Sequence, residues 1–181
     1  MPSKVINTYA AKVALEALRA DLAVFVPATV KNGFPCSAKE VLGEISASKL
    51  LRRRTRSLVT GTAFATTSPT GTVADGTLFR SGDVLTNDTG ANVGTVQTVV
   101  GNAVTLTASA AVAVATGAAV RASDGSQVAK CISGAGSDGV GDTTMDVCIS
   151  VFANEADIIG LDATAKDELG GKSTVGGLFK F

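Results

Sequence analysis

Residues 93–108 read VGTVQTVVGNAVTLTA, and this stretch decides the fold class. Small β-branched residues flank a two-residue Gly101-Asn102 loop, the turn chemistry of a tight β-hairpin. The spacing sets Val100 opposite Ala103 and Val99 opposite Val104, so the pairing register is fixed by the turn. Working outward, LFRSGDVLT (78–86) and the Ala/Val-rich run ending in AAVRA at residue 122 supply further short apolar stretches. Together they predict four or five strands within 78–122, enough for a small β-barrel inserted in a larger β-domain. Two more strands are expected at 128–133 (VAKCIS) and 144–151 (TMDVCISV), separated by the Gly/Asp-rich loop GAGSDGVGDT.

Composition supports this reading. The chain of 181 residues is 45% hydrophobic but only 4% aromatic, so a core is affordable and must be filled by Val, Ala, Leu and Ile. Twenty Gly and many Thr favour short strands and tight turns over a helical bundle. The segment up to residue 56 has a different texture. Residues 7–22 place Ala11, Ala14, Leu15, Leu18 and Leu22 at helical spacing, with Asn7 or Thr8 as N-cap. Pro27 and Pro35 bias the residues before them toward extended backbone, and Ser37 to Glu40 has the spacing of a capping box, which predicts a second helix carrying Val41, Leu42, Ile45 and Leu50 or Leu51. The resulting expectation is an N-terminal arm with two short helices over 1–56 and a β-rich domain over 57–181. Near the end, DATAKDELGG reads as a short helix capped by Asp162 and stopped at Gly170-Gly171, followed by a last apolar strand in GLFKF.

Several chemistries are excluded or disfavoured. The chain has no His, which removes the usual general base for Ser and Cys nucleophiles and the commonest metal ligand. Its three cysteines, Cys36, Cys131 and Cys148, lack CxxC spacing, so neither a zinc site nor a full disulfide framework is indicated. They read as reduced, buried apolar residues; the alternative is a Cys131–Cys148 pair across neighbouring strands. GGKST at 170–174 echoes the end of a phosphate-binding loop, but the earlier glycine is missing at Lys166. Asp138, Asp142 and Asp146 lack the spacing and closing Glu of an EF-hand, and Asp83 and Asp88 read as turn formers. The start, MPSKVINTYA, has no apolar core of a secretory signal, and no stretch of about 18 residues has a membrane-helix pattern. A protein made in a cytoplasm is expected, with no catalytic residues, no metal and no cofactor.

Charge is unevenly placed. Residues 1–60 hold ten Lys/Arg against four Asp/Glu, and residues 61–181 hold six against twelve. The densest cluster is Lys49, Arg52, Arg53, Arg54 and Arg56, able to contact an acidic protein surface, the acidic remainder of the molecule, or solvent alone. Nucleic acid is the weaker reading, because no aromatic stacking platform lies between Phe34 and Phe64.

Residues 119–163 carry a family likeness. Ser123-Asp124-Gly125, Val128 to Ile132, Met145 to Val151 and Asn154 to Leu161 follow an ordered pattern: a strand, an Asp-Gly turn, a second strand and a polar Gly/Asp/Thr loop. A strand of alternating apolar residues comes next, then an acidic-apolar stretch before a short helix. This resembles the core of lambda-type head decoration (cement) proteins of tailed bacteriophages. The resemblance implies a mainly β, β-tulip-like domain with a few short helices, a homotrimer, and binding of the major capsid protein on the outside of the head. It implies no cofactor and a location in the virion. The basic cluster is then the candidate capsid contact. The additional N-terminal residues and the apparent inserted barrel depart from that family. The rival reading is a β-rich adhesin or carbohydrate-binding module, against which the single Tyr and absent Trp count, since sugar sites use aromatic platforms.

Overall fold

The structure, a computed structural model, describes residues 23–152, 155–170 and 179–180. The helix expected over 7–22 and nearly all of GGKST lie outside them. The fold is mainly β, and the chain forms two compact units: Thr55–Gln127, and the segments on either side of it, up to Arg54 and from Val128 onward.

The first unit is a closed five-stranded barrel. Its strands are β1 (Val24–Val30), β2 (Val41–Glu44) and β3 (Leu51–Arg53) from the N-terminal side. From the far side of the insertion come strands we number β10 (Ala129–Ser133) and β11 (Thr143–Phe152). The order β1-β3-β2-β10-β11 closes because β11 also pairs antiparallel with β1, from Val24↔Ser150 to Val30↔Thr143. Every strand sends side chains inward: Val30, Leu42, Leu51, Cys131, Met145 and Val147 form one buried cluster. The opposite face of the same strands is also covered. Val41, Ile132 and Cys148 pack under Ile158 and under Ala165 and Leu169 of the helix Ala163–Gly170. That helix starts as the sequence predicts, with Asp162 Oδ1 accepting the Ala165 N–H at 2.7 Å. A short strand, Phe179–Lys180, runs parallel to β11.

Burial on both faces explains the largest error of the sequence reading. No helix follows Ser37. The side-chain half of the capping box does form, Glu40 Oε2 accepting the Ser37 N–H at 2.8 Å, but Lys39 turns the chain with a positive φ of 65° and Val41 enters a strand. Val41 and Leu42 then point into different clusters. A strand with two buried faces shows a continuous apolar run, which periodicity cannot separate from a helix. The arm of 1–56 is therefore corrected for its described part: residues 24–53 supply three of the five barrel strands.

The second unit is a half-barrel. Its strands are β4 (Arg56–Leu58), β5 (Thr70–Thr72), β6 (Val84–Asn87), β7 (Asn92–Val100), β8 (Ala103–Leu106) and β9 (Ala119–Ala122). They lie in the antiparallel order β4-β9-β6-β7-β8-β5. The sheet curls until Val59, after β4, bridges Val73, after β5. The Gly101-Asn102 hairpin has the predicted register, Val99↔Val104 and Val100↔Ala103, with Gly101 at φ +57°. The core is Val, Leu and Ala around Phe64 and Phe79. Phe64 lies so close over β5 that a Cβ on Gly71 would come within 2.7 Å of its ring. The predicted insertion of 78–122 holds four strands but is too short: β4 and β5 belong to the same sheet, which makes the unit 55–127. Its two ends meet, the Thr55 and Ser126 hydroxyls lying 2.7 Å apart and Ala122 N–H donating to Thr55 O at 3.1 Å.

Candidate functional site

The basic cluster singled out in the sequence is not one surface. Within the barrel unit, Arg52 is 2% exposed and its guanidinium lies 4.4 Å from the Phe34 ring centroid, a cation–π contact out of reach of any partner. Arg53 Nε donates to the carboxylate of buried Glu40. Arg54, with its side chain 4% exposed, donates from Nη1 to Asp162 Oδ2 at 3.0 Å and from Nε to Glu168 Oε2 at 3.1 Å. Only Lys49 of these four is well exposed, with Glu44 3.4 Å away. Arg56 belongs to the half-barrel, where its Nη2 meets Asp88 Oδ2 at 2.9 Å. Arg52 and Arg54 are thus withdrawn as contacts for a capsid, and Arg54 binds two acids of the later, acid-rich sequence. The charge split announced this, since Asp162 and Glu168 sit in the acid-rich part, but only the fold shows which carboxylates are reached.

Two acids tie elements together: Glu40, expected from the sequence only as a capping-box residue, and Glu168, which the sequence did not single out. Glu40 Oε2 holds the Ser37 turn, and its backbone N–H donates to Ser133 Oγ at 2.9 Å. Glu168 Oε2 accepts the Ala129 N–H at 2.7 Å as well as Arg54. One carboxylate thereby joins helix, β10 and the end of β3. These are structural ties.

The Gly/Asp loop between β10 and β11 is likewise committed to the backbone. Asp142 Oδ1 accepts the Asn32 N–H at 2.8 Å, Asn32 Oδ1 accepts the Gly141 N–H at 3.1 Å, and Asp138 Oδ1 accepts the Val140 N–H at 2.9 Å. Asp146 stands on β11 opposite Pro27. Among the described residues no group of three or more Cys, Asp or Glu is placed to hold a metal ion. Asp83 forms a turn as expected, its Oδ2 accepting the Arg80 N–H at 2.8 Å. At the next turn the backbone is held by Asn87, which accepts from Thr89 and Ala91, while Asp88 takes Arg56. Among the described residues no helix is long and apolar enough to cross a membrane.

All three cysteines are buried thiols. Ile132, not Cys131, is opposite Cys148, and Cys131 and Cys148 belong to different core clusters, so the cross-strand pair considered from sequence is not formed. Burial pushes the Cys131 thiol from 9.0 up to about 12, with a smaller contribution from Cys148, and raises Cys36. Because the neutral thiol is the folded form up to that pH, the unfolded chain loses its proton first. Cys131 therefore lowers stability as pH rises from about 9 toward 12. Since the thiolate is the reactive form, alkylation at pH 8 is expected to leave Cys36 and Cys131 unmodified in the native protein and to label them in denaturant. Peptide mass spectrometry checks this, and full native labelling would contradict the buried placement.

Comparison with protein-family models, curated proteins and solved structures returns no match.

Proposed function

We propose that this protein is a capsid decoration protein: it binds the outside of a tailed-phage head through the major capsid protein and stabilises the expanded shell by bridging capsomers. The observation that carries this reading is the order of elements along 119–170. β9 leads through a turn in which Asp124 Oδ1 accepts the Ser126 N–H at 3.0 Å into β10. The polar loop, β11, a 3-10 turn at Glu155–Asp157 and the helix Ala163–Gly170 follow in turn, the succession that the decoration-protein resemblance implies. On this reading the barrel unit is the β-tulip-type domain and the half-barrel is an insertion into it. β9 falls in the insertion, so within the barrel the likeness rests on residues from Val128 onward.

A cement protein acts by surface burial multiplied over symmetric copies. Weak contacts from linked subunits add as avidity, and preferential binding to the expanded lattice raises that lattice's stability. The test is to mix purified protein with expanded heads lacking it and to measure co-sedimentation and the temperature at which shells release DNA. Saturable binding and a higher release temperature are expected. No binding to expanded heads at about 100 μM, where even weak contacts populate, would overturn the proposal.

A further inference from the structure

At one end of the β1–β11 pair two loops are bound to each other, residues 31–37 after β1 and residues 134–142 before β11. Gly33 N–H donates to Gly139 O at 2.8 Å, and Cys36 and Ser137 exchange both backbone hydrogen bonds, at 3.0 and 2.8 Å. Side chains complete a ring: Asn32 N–H donates to Asp142 Oδ1 at 2.8 Å, and Gly141 N–H to Asn32 Oδ1 at 3.1 Å. The loops touch closely, since a Cβ on Gly139 would come within 2.8 Å of Pro35 N. This ring stands directly beyond Val30↔Thr143, the last pair of the register that closes the barrel.

We propose that Asn32 is a deamidation site which the ring protects while closed, and that the product keeps the ring from closing again. Asn32 and Gly33 are both exposed, so solvent reaches them. Glycine after asparagine leaves the backbone nitrogen without a neighbouring Cβ to shield it. In the reaction Gly33 N bonds to Asn32 Cγ while the Cγ–Nδ2 bond breaks, and the side-chain nitrogen leaves as ammonia with the Gly33 amide proton. Water then opens the cyclic imide at either carbonyl, giving aspartate or isoaspartate; nothing is oxidised or reduced. In the closed ring both reacting groups are held elsewhere, the Gly33 nitrogen by Gly139 O and the Asn32 amide by the Gly141 N–H. The reaction therefore waits for local opening. Either product adds a carboxylate at the residue whose own N–H the Asp142 carboxylate holds, and like charges that close repel. Isoaspartate also lengthens the backbone between β1 and β2 by one methylene. The inference does not depend on the capsid reading.

Peptide mass spectrometry of the full chain, incubated in mildly alkaline buffer, tests it. Asn32 should deamidate about tenfold or more faster in denaturant than in the native protein, a factor that needs only about 1.4 kcal/mol of opening free energy. Asp142→Ala, shown to be folded by circular dichroism, should bring the native rate most of the way to the denatured one. Should that variant unfold, sub-denaturing urea replaces it: hydrogen exchange at the Gly33 N–H and deamidation at Asn32 should then accelerate together in the wild type. Asn32→Asp, which mimics one product, should lower the melting temperature of the barrel by about 4 °C or more, and Asp142→Asn, which keeps the acceptor without the charge, should restore part of it. Equal native and denatured rates, a folded Asp142→Ala protein that deamidates as slowly as the wild type, exchange and deamidation that respond separately to urea, or an Asn32→Asp protein of wild-type stability would each overturn the proposal.

Discussion

Deleting residues 1–54 is expected to abolish folding of the barrel while leaving the half-barrel intact. The deletion removes β1, β2 and β3 and so three of five strands, together with the whole of the β1–β11 pairing. It strips Val30, Leu42 and Leu51 from the interior and Val41 from beneath the helix. At about 2 kcal/mol for each fully buried aliphatic side chain, these four alone exceed half of the roughly 5–15 kcal/mol that holds a typical domain together. β10 and β11 would be left with long unpaired edges, a template for aggregation. The half-barrel keeps all its strands, its core and its Thr55–Ser126 closure. Differential scanning calorimetry should therefore show one transition lost and one retained, and a fragment of residues 55–127 should reproduce the retained one. A truncated protein that kept both transitions would show that the N-terminal strands are dispensable, as the arm reading held.

What the sequence discloses follows from how local each determinant is. The β7–β8 hairpin was legible to the residue because two adjacent turn residues fix its register. The helix after Asp162 was legible because its cap is three residues from its first buried contact, Ala165. β2 was not, because Val41 and Leu42 face two cores that need β10, β11 and the helix, all more than 80 residues away, to complete them. The unit boundary was displaced for a similar reason. The texture changes near residue 57, but β1 and β2 pair with strands beyond residue 128, and no local signal encodes that return. The basic cluster was visible as charge and invisible as placement: Arg52, Arg53 and Arg54 are adjacent in sequence yet meet Phe34, Glu40 and the Asp162/Glu168 pair.

Replacing Arg54 by Met is expected to destabilise the barrel by about 3 kcal/mol or more and to lower its melting temperature by roughly 10 °C. Arg54 is buried, and its guanidinium is shared between Asp162 Oδ2 and Glu168 Oε2. Both carboxylates have structural duties: Asp162 caps the helix and Glu168 accepts the Ala129 N–H. Removing the cation leaves Glu168, with its side chain only 15% exposed, facing a single backbone donor. An uncompensated buried charge costs more than the ion pair itself contributes. The helix should loosen first, exposing Ala165 and Leu169, which it holds over the outer face of the barrel. Lysine at position 54 should recover only part of the loss, since one ammonium cannot present the planar fork that meets two carboxylates. A double variant, Arg54→Met with Glu168→Gln, separates the two contributions. If the unpaired carboxylate dominates, neutralising it should make the double variant more stable than Arg54→Met alone, with an interaction energy of about 1–3 kcal/mol in a double-mutant cycle. Additive losses would show that Arg54 and Glu168 act independently, and an Arg54→Met protein as stable as the wild type would show that these pairs do not hold the helix in place.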